Sequence, residues 1–347
     1  MIVRTIQKDY SISLVRLLAT IFIVTCHFMQ YYNFVLAWWF NVGVQIFLCM
    51  SGFLYAKKKI EEPIRFYKKQ LLKILIEYYI VVVTVIVIQL IIVPQEITTT
   101  KIIYALLTYG TLSGGEHLWY IPYILLCYML TPLIALLMQS FYADKKNTRF
   151  IVGSVLTLCS VFILFSTFFT RFNSAWINCY IIGYILGFCE KENRGLFKKL
   201  FLLISAVCIL MNAIQIYCDY VLKIAPTGRL KFAYTLYCNY AHVALGCFIF
   251  LSIHISFSKF FKNKKSILAE KVFGVSDTLS YNVYLIHQFF ILGPLSLMNL
   301  TKFQWLNCVL IIFLISILAV LLRYAALFVR NLFLVIKEKT IKHQQKE

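Results

Sequence analysis

The first long apolar run of the chain holds an arginine and a histidine, Arg16 and His27, eleven residues apart. On an α-helix that step turns about 1100° and rises ~16 Å, so both side chains leave the helix in nearly the same direction. An ionisable group in a membrane helix faces an interior rather than lipid and marks a candidate site. Imidazole titrates near neutral pH, so His27 has the chemistry of a general base. Guanidinium pairs bidentately with phosphate, so Arg16 suits a phosphate-bearing ligand. Two later stretches add polar groups. In SGGEHLWYIPY, from Ser113 to Tyr123, Glu116 and His117 suit binding a hydroxylated acceptor or assisting proton transfer. Trp119 and Tyr120 suit either an interfacial anchor or a stacking face for a sugar. In SYNVYLIHQFF, from Ser280 to Phe290, Tyr284 and His287 are three apart and share a helix face, with Gln288 beside them. That group reads either as a polar knot between helices or as a substrate-binding set. His242 and His254 have less polar company and read as structural.

A basic stretch, KKKIEEPIRFYKKQLLK, runs from Lys57 to Lys73. It is a topogenic loop, and it also suits an electropositive entrance for a phosphorylated donor such as a coenzyme A thioester, with Lys68, Lys69 and Lys73 nearest the next apolar run. Lys73 and Glu77 are four apart and can pair. No glycine-rich phosphate loop, G-x-S-x-G elbow or H-E-x-x-H pair occurs, and no Cys/His cluster has metal-ligand spacing. The 11 cysteines lie in or beside apolar segments and read as small buried hydrophobes, although Cys218 and Cys238 fall near one face and could pair.

The elements that must position these residues are membrane helices. Hydrophobic residues make up 61% of the 347 positions and charged residues 14%, against about 45–50% and ~25% in a soluble domain. Ten apolar segments have about the length of a bilayer-spanning helix, near 12–32, 38–56, 72–93, 118–139, 150–168, 174–190, 198–218, 234–255, 278–298 and 304–322. The segment 102–109 is too short to span and reads as re-entrant or interfacial. Pro122 and Pro132 bracket the fourth helix and are expected to kink it. The net charge of +20 suggests nucleic acid, but its placement argues for topology instead. With the N-terminus inside, only Lys101, Arg171, Lys223, Arg229, Lys231 and Lys302 of the 34 basic residues fall on the outer face. The positive-inside rule therefore puts both termini in the cytoplasm, with the basic excess meeting anionic lipid. The first apolar run lacks the features of a cleavable signal. The expected organisation is an all-α polytopic membrane protein: a membrane domain over 1–330, and a polar, basic cytoplasmic tail over 331–347 whose end frays. His27 then lies in the outer half of the membrane and Arg16 near the inner surface.

Taken in order, several motifs resemble acyltransferase family 3, a group of multi-pass membrane enzymes. They are R-x10-H (Arg16, His27), the W-x3-V-G-V-x-I-F-x3-S-G-F-L run from Trp38 to Leu54, H-L-W-Y-I-P-Y from His117, and S-Y-N-V-Y-L-I-H from Ser280 to His287. The resemblance covers nearly the whole chain. It implies a ten-helix core that moves an acyl group, usually acetyl, from cytoplasmic acyl-CoA to a hydroxyl of a cell-surface or lipid-linked polysaccharide, with His27 catalytic and Arg16 participating. It implies a cell-membrane location, acetyl-CoA or another acyl-CoA as donor without a metal, and a glycan acceptor. Partners would be membrane lipids and polysaccharide-assembly proteins or a second copy of the chain, not nucleic acid. The R-x-x-R pair followed by proline that family members often carry at the third helix is replaced here by Gln70 and Lys73, with the next proline at Pro94. A polysaccharide exporter or flippase without acyl transfer is the alternative that the same polar path would suit.

Overall fold

A computed structural model describes residues 9–262 and 267–344. Arg4, Lys8, Lys264, Lys265 and Lys346, part of the basic excess assigned to the inner side, lie outside the described residues. Among the described residues every regular element is a helix. In chain order these are α1 (Tyr10–Tyr31), α2 (Ala37–Phe40), α3 (Gly43–Ala56), α4 (Pro63–Ile92), α5 (Thr99–Leu106), α6 (Tyr120–Tyr142), α7 (Asn147–Thr167), α8 (Ser174–Glu192), α9 (Arg194–Ile216), α10 (Gly228–Lys262), α11 (Ile267–Ile291) and α12 (Gln304–Gln344). Among the described residues, eight stretches are helical, long and apolar enough to cross a membrane. The segments expected near 174–190 and 278–298 also form helices, α8 and α11, but fall short of that hydropathy. The reason lies in their polar and small residues, such as Asn178, Gly183 and Gly187 on α8 and Asp277, Asn282 and His287 on α11. The short segment near 102–109 becomes α5, one residue after Thr98, whose side chain accepts from the Lys101 amide at 3.3 Å. The tail expected to fray continues α12 as helix to Gln344.

The chain divides into two compact units. One comprises the residues up to Ile23, Trp38–Pro63 and Leu126–Asp277. Its centre is α8, most of whose residues from Ser174 to Cys189 are buried, packed against α3. The approach is backbone to backbone. A Cβ on Gly183 would overlap the Cys49 carbonyl, one on Gly187 the Phe53 carbonyl, and one on Gly52 the Tyr180 carbonyl. Small residues four apart let membrane helices close to this distance, where dispersion contacts replace the missing hydrophobic drive. Gly52 therefore packs α3 closely against α8. Gly43 does the same toward α1, as its Cβ would sit 2.6 Å from the Ala19 carbonyl oxygen. Polar stitches support the packing: Thr131 Oγ1 and Tyr180 OH are 2.7 Å apart, and Asn178 Nδ2 donates to Tyr240 OH at 2.9 Å. Pro132 lies inside α6, and Thr131 donates to the Cys127 carbonyl at 2.7 Å beside it. Cys218 and Cys238 are both free thiols, so the expected pairing is not made.

The second unit comprises Val24–Ala37, Ile64–Leu125 and the residues from Thr278 onward. Its α4 and α5 are tied by Tyr78 OH donating to the Ala105 carbonyl at 2.6 Å. Asn282 Nδ2 donates to the Ala319 carbonyl at 3.1 Å, which joins α11 to α12. The loop before α6 rests on the loop after α11. Gly114 (φ +77°) and Gly293 (φ +79°) adopt conformations that L side chains rarely enter, and a Cβ on Gly293 would lie 2.5 Å from Gly114 Cα. Gln89 Nε2 holds the same loop by donating to the Ser113 carbonyl at 2.8 Å.

Candidate active site

The two-glycine contact delivers Glu116 and His117, in the short 3-10 turn Glu116–Trp119, to the side of α11. There the second unit gathers three histidines. The ring centroids of His27 and His287 are 4.9 Å apart, those of His117 and His287 4.8 Å, and those of His27 and His117 6.1 Å. All three are buried. Each comes from a different element: the last two turns of α1, the turn before α6, and α11.

The hydrogen bonds define which nitrogen of each ring carries the proton. His287 Nδ1 faces the carbonyls of Tyr284 and Val283 at 2.8 and 3.1 Å. A carbonyl only accepts, so in the neutral ring Nδ1 bears the hydrogen and Nε2 is a bare lone pair. His117 Nε2 faces the Leu285 carbonyl at 3.2 Å, which leaves Nδ1 bare. His27 Nδ1 meets Gln30 Oε1 at 2.6 Å, which leaves Nε2 bare. His287 Nε2 and His117 Nδ1 are buried without a hydrogen-bond partner. A buried polar atom left unpaired costs about 1–3 kcal/mol, and a hydroxyl is the kind of donor that satisfies either nitrogen. Among the described residues no three His, Cys, Asp or Glu side chains are placed to hold a metal ion.

Polar neighbours lock this cluster. Gln288 Oε1 accepts from the His117 amide at 3.0 Å, while Gln288 Nε2 donates to Glu116 Oε2 at 2.8 Å. Glu116 Oε1 accepts from the Gly114 amide at 3.1 Å, so one exposed carboxylate is held on both oxygens. Tyr284 OH donates to the His117 carbonyl, and its ring stands edge-on to Tyr120 with centroids 5.3 Å apart. Trp119 is half-buried against Tyr123. The structure thus brings together His27, His117, Glu116, Tyr120, Tyr284 and His287. Sequence reading missed Gln30, whose signal is its place three residues after His27 at the end of α1.

The residues expected to hold a donor phosphate belong to separate units. Arg16 lies in the first unit, where its Nη1 pairs with Asp277 Oδ1 at 2.5 Å and Ser13 Oγ donates to the other carboxylate oxygen at 2.7 Å. Asp277 was legible in principle, since a charge in a membrane helix needs an opposite partner. Lys68, Lys69 and Lys73 lie exposed at the start of α4 in the second unit. Glu77, expected to pair with Lys73, is buried and takes Arg330 Nη2 at 3.1 Å and Arg323 Nη1 at 3.5 Å on one oxygen.

A chain of apolar helices that carries a locked cluster of imidazoles and a basic N-terminal end on α4 has the makings of a membrane group-transfer enzyme. The sequence profile described as an acyltransferase domain, that of acyltransferase family 3, matches residues 9–326. The chain belongs to this family and is a multi-pass membrane acyltransferase. Comparison with curated proteins and with solved structures finds no match in either.

Proposed function

We propose that the protein is a membrane O-acyltransferase, and an O-acetyltransferase in particular. It would move an acyl group from cytoplasmic acyl-CoA to a hydroxyl of a cell-surface or lipid-linked polysaccharide at the cell membrane. The observation that carries this reading is the cluster of His27, His117 and His287, with two buried nitrogen lone pairs that lack a donor. A sugar hydroxyl is a donor that a bare imidazole nitrogen accepts from. In this reading His27 removes the hydroxyl proton as the oxygen forms its bond to the thioester carbonyl. The carbon–sulfur bond then breaks, and the coenzyme A thiolate takes up the proton, giving ester and thiol. General base assistance of this kind contributes about 10²–10⁴-fold. Glu116 and His117 orient the acceptor, Trp119 and Tyr120 offer it an aromatic face, and Tyr284 and His287 complete its polar contacts. In the second unit Lys68, Lys69 and Lys73 meet donor phosphate, and in the first Arg16, fixed by Asp277, is the participating guanidinium.

The test is label transfer from radiolabelled acetyl-CoA to a surface polysaccharide acceptor by the purified protein in detergent. Wild-type protein is expected to transfer label, and His27→Ala to lose it by at least 10²-fold while still inserting in the membrane. Full transfer by a correctly inserted His27→Ala variant would falsify the role of His27. Glycan passage across vesicles with no consumption of acetyl-CoA would instead favour an exporter.

A further inference from the structure

The second unit holds another group of charges, apart from the histidine cluster, that the acyl-transfer reading does not use. Arg323 and Arg330 are seven apart on α12, a step of about 700°, so both leave one face of the helix. Side chains on a helix lean toward its N-terminus, so both guanidinium groups reach back along α12. They converge on Glu77 of α4, and both meet the same oxygen, Oε1, at 3.5 and 3.1 Å. Arg330 Nη2 also donates to the Lys73 carbonyl at 3.2 Å. Two fixed positive charges thus share one buried carboxylate, and a unit of positive charge is left over.

Depth matters as much as charge. Counted from Ile92, Lys73 lies ~29 Å along α4; counted from Gln304, Arg323 lies ~29 Å and Arg330 ~39 Å along α12. The apolar core of a bilayer is about 30 Å thick, so the group stands at headgroup level, at the end of α4 that carries Lys68 and Lys69. The arginine side chains are 32% and 26% exposed while Glu77 is at 3%. The carboxylate is therefore shut in behind two forks whose outer N–H groups remain reachable. Guanidinium meets phosphate by parallel N–H···O pairs, and two such forks at a partly desolvated edge suit one phosphate ester better than they suit a mobile ion.

We propose that Arg323 and Arg330, braced by Glu77, form a binding site for a phosphate ester at the basic end of α4 and α12. Two sources share that chemistry: the nucleotide phosphates of the acyl-CoA donor and the phosphodiester of an anionic lipid. The donor source rests on the acyl-transfer reading; the lipid source does not. The probes are adenosine 3′,5′-bisphosphate, which carries nucleotide phosphates but no thioester, and phosphatidylglycerol in nanodiscs. Thermal unfolding of wild-type, Arg323→Gln and Arg330→Gln protein is followed against the nucleotide, and retained phosphatidylglycerol is counted by native mass spectrometry.

A donor site predicts that each variant weakens nucleotide affinity by tenfold or more, with lipid retention unchanged. A lipid site predicts that retained phosphatidylglycerol falls at least threefold, with nucleotide affinity unchanged. Glu77→Gln releases both forks and is expected to tighten whichever probe binds by several-fold. Should that variant fail to fold, Arg330→Lys takes its place: it keeps the charge, loses the fork, and is expected to lie between wild-type and Arg330→Gln. Variants that fold and keep wild-type binding of both probes overturn the site and leave the arginines as counter-charges to Glu77. Wild-type protein that binds a phosphate probe, loses it in the arginine variants and yet transfers no acyl group would refute the acyl-transfer reading and leave this site standing.

Discussion

At the residue scale, the chemistry of the histidine cluster rests on which nitrogen each backbone or amide oxygen occupies. His287 is held by two carbonyls on its Nδ1 side, so its free lone pair is set by α11 itself. This predicts a difference between two small substitutions. His287→Asn keeps a donor near the position of Nδ1 and removes the far nitrogen, while His287→Gln keeps a polar atom near the position of Nε2. We expect His287→Asn to lower acyl transfer by about tenfold or more, as loss of a buried hydrogen-bond contact to the acceptor does. His287→Gln should retain more activity, and both should unfold near the wild-type temperature. Equal activity of the two variants would show that the far nitrogen is not used. Much of this site was legible in the chain, because His27, Glu116, His117, Tyr284 and His287 are costly polar groups in apolar runs. Their tautomers were not, because these depend on carbonyls and amides that only the fold presents. The partners of Arg16 and Glu77 escaped for a related reason. Asp277, Arg323 and Arg330 lie hundreds of residues away along the chain, and nothing in local spacing links them.

At the element scale, the decisive contact of the first unit is that of α8 with α3. Gly183 and Gly187 stand one turn apart on α8, each where a Cβ would collide with a carbonyl of α3 rather than with a flexible side-chain end. Backbone cannot step aside without breaking helical hydrogen bonds, so the helices must separate. Gly183→Ala is expected to destabilise the protein by about 1–3 kcal/mol, the range for overpacking a tight core, and Gly183→Leu by more. Thermal unfolding in detergent checks this, with Gly274→Ala, where an added Cβ meets nothing within 4 Å, as the control. Unchanged stability for Gly183→Leu would mean that the α3–α8 approach is looser than described. The helices themselves follow from apolar run length, and each of the ten expected segments contains a helix, although α11 ends at Ile291, short of the expected 298, and the 38–56 segment breaks between α2 and α3. Two of them, α8 and α11, owe their lower hydropathy to packing and site residues, a trade that segment counting does not reveal.

At the scale of the whole molecule, membrane placement follows from charge. If the basic residues mark the inner side, both termini face the cytoplasm, and the loops holding Lys101, Arg171, Lys223 and Lys302 face out. Single cysteines introduced at Lys101 and at Lys302 in a variant lacking exposed Cys159 should react with an impermeant maleimide on intact cells, and one at Lys58 only after lysis. Reaction of the Lys58 site on intact cells would invert the topology, and with it the side from which a donor arrives. The sequence by itself determined that the protein is helical and membrane-embedded, which family it belongs to, and which side chains are too costly to be idle. Run length, charge placement and motif order are local or additive properties, and a chain displays them before it folds. The tertiary structure decided how three imidazoles from three elements meet, which nitrogens they leave bare, and which carboxylate each arginine finds. Those are pairings over large sequence separation, fixed by close glycine contacts and buried hydrogen bonds that exist only once the helices pack.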